Sequence, residues 1–452
     1  MPACRNESLH DGDIPMSSIS QDVYSQRLEA GTYAKVAWRL IPFLFFCYLC
    51  AYLDRINVSF AKLQMLQDLG MSDAVYGLGA GIFFVGYLLF EVPSNLVLLK
   101  VGARRWIARI MVTWGVISAA MMFVSTPTQF YVVRFLLGVA EAGFFPAILL
   151  YLTYWFPSGR RSKVTALFMT GIPMSGVLGG PLSGWIMHSM SGTHGLAGWQ
   201  WLFLLEGIPT MIVGVVAFFY LDDKVSDARW LTEDERATIE TDLQAEAGHH
   251  KLHSLRDGLA SPRVLLLSAI YFFFTMGLYG VSFWLPSLVK ASGVSGTLNI
   301  GLLSAVPYAA AAITMVAVGR SSDRHGERRW HLAVPGILGA LALTASVVYA
   351  HDTVIAMIAL TIGTMGVITT ISQFWTVPPA VLQGTAAAGG IALANSVGSI
   401  SGVVSPYVIG WLQTSTGSTG SGVVGIAASM VIGSILTLTL RRAHVNNRSR
   451  LG

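Results

Sequence analysis

Two stretches, "NLVLLKVGARRW" at residues 95–106 and "GRSSDRHGERRW" at residues 319–330, end on the same Gly-x-Arg-Arg-Trp pattern. Setting Trp106 on Trp330 pairs Gly102 with Gly326, Arg104 with Arg328 and Arg105 with Arg329. In both places a long apolar run precedes the basic loop and another follows it. The same offset lays the first apolar run of the chain on the first run of its second half. The chain therefore reads as a six-run unit used twice.

Each run has the character of a membrane helix. The 452 residues are 53% hydrophobic and 12% charged, against about 25% charged residues in soluble domains. The missing charge is spread over many runs near the ~20 residues that cross a bilayer. Short alternating segments, the mark of a membrane barrel, do not occur. Length and hydropathy place twelve spans near 36–60, 76–99, 106–124, 129–155, 164–188 and 201–221, then 264–290, 300–319, 332–350, 354–375, 386–412 and 423–440. The expected organisation is a polar tail at 1–35, a six-helix bundle at 36–221, a linker at 222–262, a second bundle at 263–441 and a tail at 442–452.

The pI of about 9.1 invites a nucleic-acid reading, but the positions of the charges argue against it. Lys35, Arg39, Lys100, Arg104, Arg105, Arg160, Arg161, Lys163, the 224–263 segment, Arg320, Arg324, Arg328, Arg329 and the C-terminal arginines fall on alternate loops. The intervening loops hold only Lys62 and Lys290. The positive-inside rule then puts both termini in the cytoplasm. The polar N-terminal stretch lacks the apolar core of a cleaved signal. In the linker, Thr232 and Glu235 are spaced as a capping box opening a charged surface helix. Cys47 and Cys50 sit one turn apart in an apolar span, where small apolar filling is expected, and no metal cluster or cofactor motif appears. No nucleophile–base set or phosphate loop supports an enzyme.

The loop at 319–329 resembles the signature of the major facilitator superfamily, with Gly319, Asp323, Arg324, Gly326, Arg328 and Arg329 in register. That resemblance implies an all-α fold of two pseudo-symmetric six-helix bundles and a cytoplasmic gate at this loop. The first-half copy departs from it, with Asn95 and Leu99 at the glycine and aspartate positions. More narrowly, "YLDRINVSFA", "FEVPSNL", "RFLLGVAEAGFFPAILLYLTYWFP" and "LYGVSFWLP" resemble the anion:cation symporter family of bacterial carriers, with the tartrate and 4-hydroxyphenylacetate carriers nearest. The implied protein is a monomer of the bacterial inner membrane.

Few ionisable residues lie inside the expected spans: Asp54, Arg55, Glu91, Arg134, Glu141 and Glu206. Each costs roughly 2.5–3.5 kcal/mol at the bilayer centre on insertion scales, so each needs a partner or a cavity. Arg134 and Glu141 lie two turns apart on one helical face, with small residues around Glu141 in "GVAEAG" that admit a neighbouring helix. Arginine keeps its charge and matches a carboxylate in two places, whereas a desolvated carboxylic acid can exchange charge for a proton. This division of labour, which the family resemblance also implies, assigns Arg55 and Arg134 to the substrate and Asp54 and Glu141 to the proton.

Asp54 and Arg55 are expected to have separate faces, because successive helical positions point about 100° apart. Ionised Asp54 and Glu141 are expected to compete with a substrate for Arg55 and Arg134. The matching second-half positions are Leu278, Tyr279, Ile358 and Met365, so the charge is one-sided. Tyr52 and Tyr87 match substrate positions in the family, and Tyr279, Trp284, Ser372, Trp375 and Asn395 are candidates to face them. Glu91 and Glu206 fit packing or interface positions better. The expected function is proton-coupled uptake of a small organic carboxylate. Two rivals stay open: a proton-coupled exporter, suggested by the glycine-proline run "GVLGGPLSG", and a carboxylate sensor that does not transport.

Overall fold

The computed structural model describes residues 16–247, 261–381 and 385–441, and it is helical throughout with no strand among them. The helices before the linker are α1 (Met16–Asp68), α2 (Asp73–Val101), α3 (Ala103–Ala120), α4 (Pro127–Glu141), α5 (Phe144–Thr153), α6 (Ser158–Met169), α7 (Gly171–Ser189) and α8 (Gly198–Tyr220). The linker carries α9 (Glu233–Ala247). The second half holds α10 (Pro262–Ala291), α11 (Thr297–His325), α12 (Arg329–Val348), α13 (Thr353–Phe374), α14 (Pro378–Val381), α15 (Thr385–Thr416) and α16 (Thr419–Thr439). The tryptophan register carries α2 onto α11, and both are 29 residues long.

Eleven segments among the described residues are long and apolar enough to cross a membrane. The span expected at 164–188 is divided at Thr170 between α6 and α7. Glycine, serine and proline in "GIPMSGVLGGPLSG" lower the hydropathy of α7, and the glycines explain the composition. A Cβ on Gly180 would lie 2.5 Å from the carbonyl oxygen of Gly301, and one on Gly184 would lie 2.6 Å from that of Thr297. The glycine run that suggested an exporter is therefore a packing seam between α7 and α11.

A second seam joins α2 to α15. A Cβ on Gly77 would approach the Pro406 carbonyl oxygen to 2.3 Å, and one on Gly81 would approach that of Val403 to 2.7 Å. The main-chain contacts of both seams lie towards the end opposite the basic loops, here called the far end. Polar contacts add to the closure there. Lys62 Nζ lies 2.7 Å from Asp73 Oδ1 and 3.4 Å from the ring centroid of Trp284 on α10. The Tyr76 hydroxyl donates to the Phe283 carbonyl at 3.0 Å.

At the basic end, residues 27–35 continue α1 and are not a loose tail. Lys35 pairs with Glu235 at 2.7 Å, Tyr33 donates to Asp242 at 2.8 Å and Arg160 pairs with Glu29 at 2.6 Å. The linker helix is thus fastened to the first half. Its capping box forms as expected, with Thr232 N–H donating to Glu235 at 2.8 Å and Glu235 N–H to Thr232 Oγ1 at 3.3 Å. Gly326 closes α11 in the left-handed conformation, with φ 60°. Arg328 donates to the Thr376 carbonyl at 2.6 Å, and Arg329 donates to the carbonyl of Leu438. These bonds of Arg328 and Arg329 brace their own half, and Asp323 and Arg324 stand exposed.

Candidate functional site

The fourth pass through the membrane is broken where the acid sits. Glu141 is the last residue of α4, Ala142 leaves helical geometry with ψ 130°, and Gly143 turns left-handed with φ 85° before α5 begins. Pro146 has no N–H to return to the Ala142 carbonyl, which favours a break at this point. The single pass expected at 129–155 is made by two helices, α4 and α5, with the break between them. Close packing holds the break: a Cβ on Gly138 would lie 1.9 Å from the Phe83 carbonyl oxygen of α2.

A cavity lies between the two halves, on the basic side of the far-end seams. Helix α1 lines it with Tyr48, Tyr52 and Arg55, spaced four and three residues apart on one face. From α2 come Phe84 and Tyr87, and from the start of α5 Phe144 and Phe145. The second half supplies Tyr271, Leu278, Tyr279, Ile371, Trp375, Asn395 and Ser399. Arg55 is the one charged residue in this lining. Its guanidinium is paired with Glu141 and lies over Tyr52 and Phe83, at 5.4 and 5.5 Å from their ring centroids. Arg55 Nε and the Tyr52 hydroxyl have no protein partner. Asn395 donates to Glu91 at 3.1 Å, a contact that crosses between the halves.

The candidates do not all converge. Tyr52, Arg55, Tyr87, Tyr279, Trp375 and Asn395 line the cavity, with Glu141 behind Arg55. Arg134 does not. It is fully buried two turns from Glu141, and donates to the carbonyls of Gly79 and Ala80 at 3.3 Å each. Trp284 lies beneath Lys62 at the far end. Ser372 follows Ile371 by one position, and that 100° turn carries it off the cavity face shared by Ile371 and Trp375.

Asp54 is the largest departure from expectation. Its carboxylate accepts from Trp114 Nε1 at 2.7 Å, Thr210 Oγ1 at 2.8 Å and Ser118 Oγ at 3.1 Å, inside the first half. It touches neither arginine, so direct competition with a substrate for Arg55 belongs to Glu141 alone in this conformation. Tyr48 and Tyr271 are cavity residues that the candidate set omitted. Tyr48 was legible as the next position up the Tyr52–Arg55 stripe. Tyr271 carries no comparable signal, since α10 is apolar on every side. Cys47 and Cys50 are buried free thiols, and among the described residues no group of metal-binding side chains forms.

Comparisons with known proteins agree with this architecture. The profile described as the Major Facilitator Superfamily matches residues 44–406. A Pseudomonas putida protein named for metabolite transport, NicT, is 49% identical over 92% of this chain and 95% of its own. An Agrobacterium vitis protein named as a tartrate transporter is 49% identical over 93% of this chain and 94% of its own. An Acinetobacter baumannii protein named as a quinolone resistance transporter is 41% identical over 89% and 93%. Among solved structures, an inward-facing, occupied bacterial homologue of the human lysosomal transporter Spinster superposes with a TM-score of 0.69. It is 15% identical and covers 88% of this chain and 94% of that one, a likeness of fold.

Proposed function

The chain belongs to the major facilitator superfamily, and on that premise we propose that it takes up a small organic carboxylate together with protons by alternating access. The observation that carries this reading is Arg55, the one charge lining an aromatic cavity between the halves, held by the carboxylate of Glu141. A substrate carboxylate and Glu141 want the same guanidinium. A proton on Glu141 removes the competitor and leaves Arg55 to the substrate. The empty carrier keeps the Arg55–Glu141 pair, and the loaded carrier replaces it with Arg55–substrate and a neutral acid. Both states are balanced in charge, which lets the halves move past each other without a bare charge in the membrane interior.

Asp54 acts one layer behind the cavity. Its partner Trp114 packs edge-on against Phe144, with centroids 5.1 Å apart, and Phe144 opens α5 directly after the break that carries Glu141. A change of charge on Asp54 thus reaches the break through one indole. Arg134 fixes α4 against α2, near the cavity but outside it. Tyr52, Tyr87, Tyr279 and Asn395 supply polar edges for hydroxyl groups of the substrate, and the aromatic walls suit a planar or short acid. The tartrate name of close relatives supports a hydroxy acid. The carrier works as a monomer in a bacterial inner membrane with both termini in the cytoplasm, as its basic loops favour.

A second reading, export, is favoured by the relative named for quinolone resistance. Reconstituted protein tested with a panel of labelled carboxylates decides between them. Symport requires uptake that rises when the outside is acidified and internal accumulation that collapses with the gradient. Glu141→Gln is expected to keep counterflow while losing accumulation and pH dependence. Wild-type transport indifferent to the proton gradient overturns the proposal. Net extrusion driven by the gradient selects the exporter.

A further inference from the structure

Helix α1 carries a second stripe with polar residues, which begins at Asp54 and continues towards the far end. Asp54, Asn57, Ala61 and Gln64 follow one another at intervals of three, four and three residues, so they share a face. That face is rotated from the cavity stripe of Tyr48, Tyr52 and Arg55 and turns towards α7 and α8. There it meets Glu206 of α8, whose Oε1 accepts from Ser183 of α7 at 2.8 Å. Glu206 Oε2 has no partner. Asn57 is completely buried beside Glu206, and neither of its amide atoms makes a hydrogen bond of ordinary length. Gln64, two turns farther towards the far end, also has an unpartnered side-chain oxygen.

Buried polar atoms are satisfied in the great majority of native sites, so a cluster of unpartnered ones in a membrane interior calls for something that occupies it. The chemistry here is selective. Glu206 Oε2 is an acceptor until it carries a proton, and then it becomes a donor to Asn57 Oδ1. The titratable groups facing Glu206 among the described residues are Asp54 and Cys50, both on α1; α7 contributes only the Ser183 hydroxyl, and α3 meets Asp54 with Trp114 and Ser118. Among the described residues no cation is in position to hold Glu206 ionised. Thr210, one turn from Glu206 on α8, donates to Asp54 Oδ2 at 2.8 Å and lies 3.4 Å from the main-chain carbonyl oxygen of Glu206.

We propose that Glu206, Asn57 and Ser183 form a second proton-binding site, loaded from the far end and passing its proton to Asp54. This rests on the proton-coupled reading above and deepens it. The hand-over moves one proton: the O–H bond on Glu206 breaks, one forms on Asp54, and the negative charge passes from Asp54 to Glu206. The proton then has a path inside the first half, separate from the substrate path between the halves. That separation matters because the far-end seams close the substrate path in this conformation.

The test uses the full-length protein in lipid. Infrared difference spectra between acid and alkaline buffer are expected to show a carbonyl band from protonated Glu206, lost in Glu206→Gln and displaced in Asn57→Leu. A spectrum unchanged by Glu206→Gln overturns the inference. In proteoliposomes, for whichever panel acid the wild type accumulates, Glu206→Gln is expected to keep counterflow and lose gradient-driven accumulation. Ser183→Ala, which removes one hydroxyl, keeps the question open to test if Glu206→Gln misfolds; it is expected to weaken accumulation with counterflow intact. Coupled wild-type uptake that neither variant alters overturns this inference alone, whereas wild-type uptake without coupling overturns the inference and the symport reading together.

Discussion

The two halves are built on one plan and filled with different chemistry. In the first, Asp54, Lys62, Glu91, Arg134, Glu141 and Glu206 are all buried. In the second, the buried polar residues among those described are serines, threonines and Gln373. Many of these hydroxyls spend their hydrogen on a carbonyl one turn back in their own helix, as Ser268, Thr364, Ser434 and Thr437 do. Such bonds satisfy a hydroxyl without tying it to another helix. One half therefore holds charges that titrate or pair, and the other presents a wall whose polarity does not change with pH. A duplicated scaffold has divided its labour between power and shape.

The largest test of that division is Arg55→Ala. It removes the proposed substrate anchor and leaves Glu141 buried without its partner, which costs about 3–5 kcal/mol. Carboxylate binding by calorimetry is expected to vanish and the melting temperature to fall. Arg55→Lys is expected to restore little binding, since an ammonium lacks the planar fork. Substrate binding that survives Arg55→Ala would place the anion site elsewhere and end the comparison.

Next in size is Lys62→Ala, which removes a cation held over Trp284 and paired with Asp73. A desolvated cation–π contact is worth about 2 kcal/mol. The far end is expected to open more often, read as faster labelling of a cysteine introduced nearby. Smaller again is Ser401→Ala in the second half, whose hydroxyl lies 2.7 Å from Thr275 Oγ1. A loss of about 1 kcal/mol in stability is expected, with the pH profile of transport unmoved. A shifted profile would mean that the second half shares in coupling. The smallest effect is expected from Thr232→Ala, which unseats the cap of α9 at a cost of about 1 kcal/mol in that helix and leaves uptake kinetics unchanged.

The duplication, the helical class and the membrane passes were legible because hydropathy and the paired Gly-x-Arg-Arg-Trp loops are properties of long windows. The intramembrane charges were legible as a set because each is costly in lipid. Their partners were not. Asp54 and Arg55 stand next to each other in sequence, yet one meets Trp114 and Thr210 and the other Glu141. Helical spacing shows that α1 has two polar stripes, but a helix buried on most sides gives no sign of which stripe meets the cavity. Arg134 and Glu141 share a face as their spacing requires, and a two-turn rise still places one against backbone carbonyls and the other at a helix break. The break was the harder feature, since "GVAEAGFFP" is apolar enough to run straight through and only Gly143 and Pro146 mark it.

The far-end seams have a consequence for how this protein can be dissected. Where Gly77 meets Pro406, Gly81 meets Val403 and Gly180 meets Gly301, main chain lies on main chain with no side chain between. Substitution by alanine reads most positions by subtraction, but at these glycines it adds the one carbon atom for which there is no room. Only added carbon would register, because a single methyl group would collide with a carbonyl and wedge the halves apart. The same alanine that is mild on an exposed helix face would be among the most disruptive substitutions at these seam glycines.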